Sequence, residues 1–211
     1  MLSRFPNRRV AGEILAGDLR DCVARGNAIV LGLPRGGVPV AHEVARALAL
    51  PLDVFIVRKL GVPGHEELAM GAIASGGVRV LNREAIENLR IPEAAIKDVT
   101  AVESAELARR EELYRAGRPP LLLRDLQVIL VDDGLATGST MRAAVAAVRE
   151  LGAAQIIVAV PVASPDAYEI LAAEADAVVC PLRPARFQSV GEWYADFTQT
   201  TDEEVRSLLA L

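Results

Sequence analysis

Several residue types that often carry function are scarce in this chain. Its 211 residues include two cysteines, two histidines and eight aromatic residues. Cys22 and Cys180 lie far apart in the sequence and fit no Cys-x-x-Cys spacing, which argues against a cysteine-based redox or metal motif. We interpret both as reduced, buried thiols.

Long apolar runs and an excess of positive charge are also missing. No uninterrupted apolar stretch reaches about 18 residues, the length that a membrane helix needs. Residues 1–9 carry three arginines and no apolar run of signal-peptide length. We therefore expect a cytoplasmic protein that does not bind membranes. The net charge of −5 argues against a nucleic-acid partner, so the expected partner is a small molecule.

The chain does contain enough apolar material for one sizeable core. Hydrophobic residues make up 52% of it and no internal repeat is present, which predicts a single domain over 1–211 with a core at about 28–180. Strands predicted at 28–33 and 52–57 flank a helix at 38–48, as in a right-handed parallel unit. Further strands are predicted at 78–81, 128–131, 156–162 and 177–179, and further helices at 8–25, 92–116, 141–151, 166–174 and 202–209. The predicted fold class is α/β with a central, mostly parallel sheet.

The most informative segment is residues 128–140, Val-Ile-Leu-Val-Asp-Asp-Gly-Leu-Ala-Thr-Gly-Ser-Thr. Its apolar start is typical of a strand covered on both faces, so Asp132 and Asp133 fall at the carboxyl end, where ligands bind in open α/β sheets. Two ionised carboxylates repel each other by roughly 4 kcal/mol at 4 Å and an effective dielectric of about 20. A hydrated Mg²⁺ or the hydroxyl groups of a diol would stabilise such a pair.

The residues after the two acids suit a phosphate group. Ala136, Thr137, Gly138, Ser139 and Thr140 combine successive backbone N–H groups with three hydroxyls at a predicted helix start. The alternative is that the hydroxyls only cap the helix and the acids are a solvated strand end. A Walker-type loop is excluded because no Gly-Lys-Ser/Thr is present, and the glycine spacing excludes the dinucleotide fingerprint.

Two further loops follow predicted strands. Arg35-Gly36-Gly37 places a guanidinium beside two glycines whose N–H groups could approach a pyrophosphate; an unliganded tight turn is the alternative. Arg58 and Lys59 follow the next strand, and a solvated basic strand end is the alternative for them. Residues 59–77, rich in glycine, are predicted to be a flexible loop that acts as a lid.

Two other features could contact a bound ligand. Glu66 and Glu67, in the predicted lid, are candidates for proton transfer to or from a ring. Four of the eight aromatic residues are concentrated near the carboxyl end: Phe187, Trp193, Tyr194 and Phe197. Residues 181–200 could therefore form a hood that stacks on a ligand, or the rings could anchor this segment to the core or to a dimer partner. Both interpretations stay open.

Residues 128–140 resemble the phosphoribosyl pyrophosphate (PRPP) signature of type I phosphoribosyltransferases. The resemblance implies a three-layer fold with a small hood. It also implies that Asp132 and Asp133 hold the ribose hydroxyls and, through water, Mg²⁺, while residues 136–140 hold the 5′-phosphate. Arg35-Gly36-Gly37 is similar to the family's pyrophosphate loop, which often contains a strained peptide. The Arg58-Lys59 pair resembles the one that leads into the catalytic loop.

The resemblance implies Mg²⁺-dependent transfer of ribose 5-phosphate from PRPP to a nitrogen nucleophile, with Arg35, Lys59, Asp132 and Asp133 as catalytic residues. It also implies a homodimer. Ala136 stands where hypoxanthine-guanine members have an aspartate, which argues against that substrate class. A PRPP-binding regulator with little turnover is the alternative function, and a pyrophosphokinase or phosphate-ester hydrolase is a third.

Overall fold

The computed structural model describes residues 4–23 and 26–210, apart from the side chains of Glu66 and Glu67. The strands are β1 (Ala28–Gly32), β2 (Leu52–Val54), β3 (Val57–Val62), β4 (His65–Ala74), β5 (Val78–Leu81), β6 (Gln127–Val131), β7 (Gln155–Ala159) and β8 (Ala177–Val179). The helices are α1 (Arg8–Leu19), α2 (Gly37–Leu48), α3 (Arg83–Asn88), α4 (Glu93–Arg115), α5 (Ser139–Glu150), α6 (Pro165–Glu174) and α7 (Asp202–Leu209), with a 3₁₀ helix at Val190–Trp193.

The central sheet has the order β2-β1-β6-β7-β8, and all its pairs are parallel. Every residue of β6 is buried, because helices cover both faces. Val128 and Leu130 face the cluster that includes residues of α5 and α6, while Ile129 and Val131 face the one that includes residues of α1 and α2. The expected three-layer α/β fold is confirmed.

A second, antiparallel sheet of β3, β4 and β5 occupies much of the region predicted as a flexible loop. The expectation of little regular structure at 59–77 is wrong, although movement of this segment on ligand binding stays a prediction. Its glycines obscured the strand pattern. Pairing shifts register around Gly61, and a Cβ on Gly71 would lie 2.4 Å from the carbonyl oxygen of Val80. These glycines serve a bulge and a close strand approach rather than disorder.

Several predicted boundaries also need correction. Helix α1 ends at Leu19 rather than at 25, and β7 ends at Ala159 rather than at 162. The strand predicted at 52–57 is interrupted between Val54 and Val57, where the chain leaves the central sheet for the antiparallel one. Helix α3 was not predicted from the sequence, although the side chain of Asn82 caps it.

The two cysteines have different surroundings. Cys22 is exposed just beyond the end of α1, so the prediction that it is buried is wrong. Cys180 is half-buried, and burial raises the pKa of its thiol to about 11. Within residues 4–23 and 26–210, no helix has the length and apolar character required to cross a bilayer.

The segment before α1 pairs with the segment before α7. The N–H of Phe5 donates to the carbonyl oxygen of Trp193, and the N–H of Ala195 donates to that of Phe5, each at 2.8 Å. Tyr194 is buried with its ring centroid 5.6 Å from that of Phe5. Tyr194 therefore anchors this segment to the core, as one of the two interpretations predicts. Phe197 is 37% exposed. Its role in covering an acceptor stays a prediction.

Candidate active site

The two acids lie directly beyond β6, at the carboxyl end of the central sheet. Both residues are half-buried, and the backbone N–H of Asp133 donates to Oδ1 of Asp132 at 2.8 Å. Burial raises the pKa of the Asp132 carboxyl well above its usual value, and the neighbouring charge of Asp133 raises it further. Burial also raises the pKa of Asp133, although a nearby guanidinium opposes this rise. A cation or hydroxyl donors would therefore stabilise the ionised pair.

The loop at 35–37 packs directly against these acids. A Cβ on Gly36 would lie 2.1 Å from Oδ2 of Asp133, and one on Gly37 would lie 2.6 Å from the carbonyl oxygen of Val131. Strands β1 and β6 are paired up to Gly32 and Val131, which brings the two loops side by side. The Pro34–Arg35 peptide bond is cis. Only glycine allows this close approach without displacing its neighbours.

The segment predicted to hold a phosphate forms a turn into α5. Gly138 caps the helix with φ of +71°, a left-handed conformation that favours glycine. The hydroxyls of Thr137 and Ser139 lie 3.3 Å apart, and the hydroxyl of Ser164 donates to the carbonyl oxygen of Ala136 at 2.7 Å. A cavity of about 190 Å³ is lined by this turn together with Asp132. The positive end of the α5 dipole faces an anion placed there.

Sequence reasoning missed Arg8, the first residue of α1. Its Nε and Nη2 atoms lie 2.9 and 2.8 Å from Oδ2 of Asp133, and its Nη1 donates to the carbonyl oxygen of Thr198 at 2.7 Å. The guanidinium also lies over the ring of Phe197, 3.9 Å from its centroid. The hydroxyl of Tyr194 donates to the backbone carbonyl of Asp133 at 2.6 Å. The only local signal was Asn7, whose cap starts α1 at Arg8.

A second cavity, of about 290 Å³, lies on the other side of Asp133. Its lining residues are Arg8, Arg35, Gly36, Asp133, Phe197, Gln199 and Thr200. Arg35 therefore shares a cavity with the second acid, and its role in binding pyrophosphate stays a prediction. Its Nη1 lies 3.8 Å from Oδ1 of Asp202, the first residue of α7, which also accepts a hydrogen bond from the hydroxyl of Tyr114. Asp202 therefore places a carboxylate near this arginine, in an exposed ion pair at the edge of the cavity.

Arg58 and Lys59 lie within β3 rather than after a strand, so their side chains point to opposite faces. Arg58 donates from Nε to Glu103 of α4 at 2.7 Å, in a half-buried ion pair. Lys59 is exposed and lines a cavity of about 740 Å³ together with Ser139 at the start of α5. Neither basic side chain lines the cavity that contains Asp133.

Glu66 and Glu67, the candidates for proton transfer, belong to β4. The side chains of Glu66 and Glu67 lie outside the described part of the structure. Among the residues that are described, no group of three or more histidine, cysteine, aspartate or glutamate side chains could hold a metal ion. That Asp132 and Asp133 hold Mg²⁺ through water stays a prediction.

A family model and individual proteins are both similar in sequence to this chain. Residues 7–190 match the model of the phosphoribosyl transferase domain. The chain is 46% identical over 205 residues to a Mycobacterium tuberculosis protein named "Putative phosphoribosyl transferase", covering 97% of this chain and 46% of the relative. It thus spans slightly less than half of that relative. A Deinococcus radiodurans relative named "Bifunctional protein PyrR" is 30% identical over 124 residues, which are 56% of this chain and 66% of the relative.

Among solved structures, the crystal structure of TT1426 from Thermus thermophilus is similar to this chain throughout. It shows 45% identity and a TM-score of 0.88, covering 98% of this chain and 97% of that one. The fold described above is therefore shared over nearly the entire length of both chains.

Proposed function

The chain belongs to the phosphoribosyl transferase domain family, and on that premise we propose that it transfers ribose 5-phosphate from PRPP to a nitrogen nucleophile, with Mg²⁺ and release of pyrophosphate. One observation carries the proposal. The carboxylate of Asp133 meets the glycine loop at Gly36, while Asp132 lines the cavity at the start of α5. A diol site therefore lies between two places suited to anions, which matches a sugar with a phosphate at one end and a pyrophosphate at the other.

In the proposed reaction, the bond between C1 of the ribose and the pyrophosphate oxygen breaks, and the electron pair leaves with the pyrophosphate. The acceptor nitrogen forms the new bond to C1, and its proton passes to a base, for which the carboxylates of Glu66 and Glu67 are the candidates, or to water. Arg35 and the N–H groups of Gly36 and Gly37 stabilise the charge that develops on the leaving group; removing such a donor typically costs about 3–4 kcal/mol of transition-state stabilisation. Asp132 and Asp133 hold the ribose hydroxyls. Lys59 assists if the β3–β4 segment moves toward the site.

The two acids fit a magnesium ion that arrives with PRPP. A cation would stabilise the ionised form of Asp132 most, because burial and the neighbouring charge of Asp133 both raise the pKa of its carboxyl. When bound, Mg²⁺ would neutralise part of the pyrophosphate charge. The ion would contact these carboxylates through water, with the ligand supplying the remaining oxygens.

Titration of the protein with Mg²⁺–PRPP in a calorimeter tests the donor site. We expect binding by the wild-type protein and a loss of binding in Asp133→Asn, because the amide has one uncharged acceptor oxygen and an NH₂ donor where the carboxylate has two charged acceptor oxygens. Unchanged heats in that variant would overturn the assignment. Nucleobases, orotate and simple amines are then screened as acceptors by release of pyrophosphate.

A PRPP-binding regulator with little turnover is the second candidate. It is supported by the relative named as a bifunctional protein. Binding without turnover in the screen, together with a partner protein recovered only when PRPP is present, would favour it. Consumption of ATP or release of orthophosphate would instead favour a pyrophosphokinase or a hydrolase. The homodimer and the cytoplasmic location stay predictions, and Ala136 continues to argue against a hypoxanthine-guanine acceptor.

A further inference from the structure

Arg8 makes a more elaborate set of contacts than an ordinary surface arginine. Its side chain is 11% exposed and that of Asp133 is 14% exposed. Three groups surround its guanidinium: the carboxylate of Asp133, the carbonyl oxygen of Thr198 and the ring of Phe197. The next residue, Arg9, shows the contrast. It is 63% exposed and pairs with Glu13 one turn further along the same helix.

The geometry of the Arg8 contact treats the two oxygens of Asp133 differently. Both Nε and Nη2 of Arg8 approach Oδ2, and Gly36 lies against the same oxygen. Among the described residues, no hydrogen bond from another side chain reaches Oδ1 of Asp133. The guanidinium and the glycine loop therefore fix the carboxylate's rotation and leave one oxygen available to a ligand.

The contact also joins α1 and the segment before α7 to the candidate site. Arg8 begins α1, whereas Thr198 and Phe197 belong to the segment before α7. Tyr194, from the same segment, donates to the backbone carbonyl of Asp133. The second acid is thus held through its backbone by the segment before α7 and through its side chain by the start of α1.

We propose that Arg8 is a positioning residue for PRPP: it holds Oδ2 of Asp133 so that Oδ1 accepts a ribose hydroxyl. This inference rests on the proposed function, because it assigns a task to Asp133 in donor binding. Arg8 itself need not touch the sugar. The competing possibility is that Arg8 obstructs the site and must leave before PRPP binds, and that possibility predicts the opposite change in affinity when the side chain is removed.

Calorimetric titration with Mg²⁺–PRPP separates these cases in three proteins: wild type, Arg8→Ala and the matched control Arg9→Ala. Loss of a charge-assisted contact predicts affinity about tenfold to a hundredfold weaker in Arg8→Ala. The control should bind as the wild type does. Equal or tighter binding by Arg8→Ala would overturn the inference. Failure of the wild type to bind would instead overturn the proposed function, so the two failures are distinguishable.

Chemical rescue distinguishes positioning from a general structural effect. In Arg8→Ala, free guanidinium can occupy the vacated space between Asp133 and Phe197. We expect guanidinium chloride, at concentrations far below those that unfold proteins, to restore part of the Mg²⁺–PRPP affinity. Sodium chloride at the same ionic strength should not. No rescue by guanidinium, or equal rescue by sodium, would count against the inference.

A second variant keeps the inference testable if Arg8→Ala does not fold. Lysine retains the charge, but one ammonium group cannot reproduce the forked contact with Oδ2 together with the bond to the Thr198 carbonyl. We expect Arg8→Lys to bind Mg²⁺–PRPP at least about threefold more weakly than the wild type. Affinity equal to that of the wild type would refute the positioning role.

Discussion

Adding a single methyl group at Gly36 tests the close contact between the glycine loop and the acid. The new Cβ would lie 2.1 Å from Oδ2 and 2.8 Å from Cγ of Asp133, well inside van der Waals contact. Oδ2 has little room to retreat, because Arg8 binds it and Tyr194 holds the backbone of the same residue. Gly36→Ala must therefore displace the carboxylate, the loop or both.

The expected loss of stability is about 1–3 kcal/mol, the usual cost of overpacking a tightly packed region. The effect on ligand binding should be larger, because the displaced carboxylate is the proposed diol ligand. At a PRPP concentration of 100 times the wild-type Kd, binding stabilises a protein by about 2.7 kcal/mol. If the variant binds about a hundredfold more weakly, the same concentration would stabilise it by only about 0.4 kcal/mol.

Denaturant unfolding with and without Mg²⁺–PRPP measures both quantities, and two other glycines provide controls. Gly17 is in α1, and a Cβ added there would have nothing within 4 Å, so Gly17→Ala should stabilise the protein by about 0.5–1 kcal/mol through helix propensity. Gly37→Ala meets backbone at 2.6 Å and should also destabilise the protein. If Gly36→Ala matches the wild type in stability and in its response to PRPP, the inferred contact is wrong.

Two other predictions concern groups around the same end of the sheet. Tyr194→Phe removes the hydrogen bond to the Asp133 carbonyl while keeping the ring beside Phe5. We expect the free energy of unfolding to fall by about 1–3 kcal/mol, because a half-buried acceptor loses its donor. An unchanged free energy of unfolding would refute this prediction. Iodoacetamide should modify exposed Cys22 well before Cys180, whose raised pKa of about 11 leaves little thiolate at pH 8. The Cys180 rate, followed by mass spectrometry, should rise about tenfold per pH unit below that pKa, and a rate independent of pH would contradict the argument.

The parts of the site that could be predicted from sequence are those encoded within a few neighbouring residues. An apolar run followed by Asp132 and Asp133 is a local pattern, and so is the turn at Gly138 that begins α5. Both loops follow strands of a parallel sheet, so the sequence predicts Gly36 and Gly37 at the same edge as the acids, but the direct pairing of β1 with β6 is known only from the structure. Predictions of this kind depend on strand order and on the carboxyl ends of parallel strands being together.

The parts that could not be predicted depend on contacts between distant residues. Arg8 and Asp133 are 125 positions apart, and nothing in the local sequence of either indicates the other. The antiparallel sheet was missed for a different reason. Gly61 and Gly71 are typical of loops, but here they permit a bulge and a close strand approach. Composition alone does not distinguish a glycine that frees the chain from one that lets two strands meet.

The surroundings of Asp133 explain why α1 and the segment before α7 contribute to a site whose recognisable motif is residues 128–140. A carboxylate beside Asp132 is unfavourable when buried, so a fixed cation stabilises its ionised form before any ligand arrives. Arg8 supplies that cation from α1, and the segment before α7 supplies the groups that hold Arg8 in place. Since α7 also contributes Asp202 beside Arg35, the same carboxyl-terminal region contacts both the diol and the pyrophosphate sides of the proposed site. Changes in this region should therefore alter PRPP binding even where they touch none of the residues in the 128–140 motif.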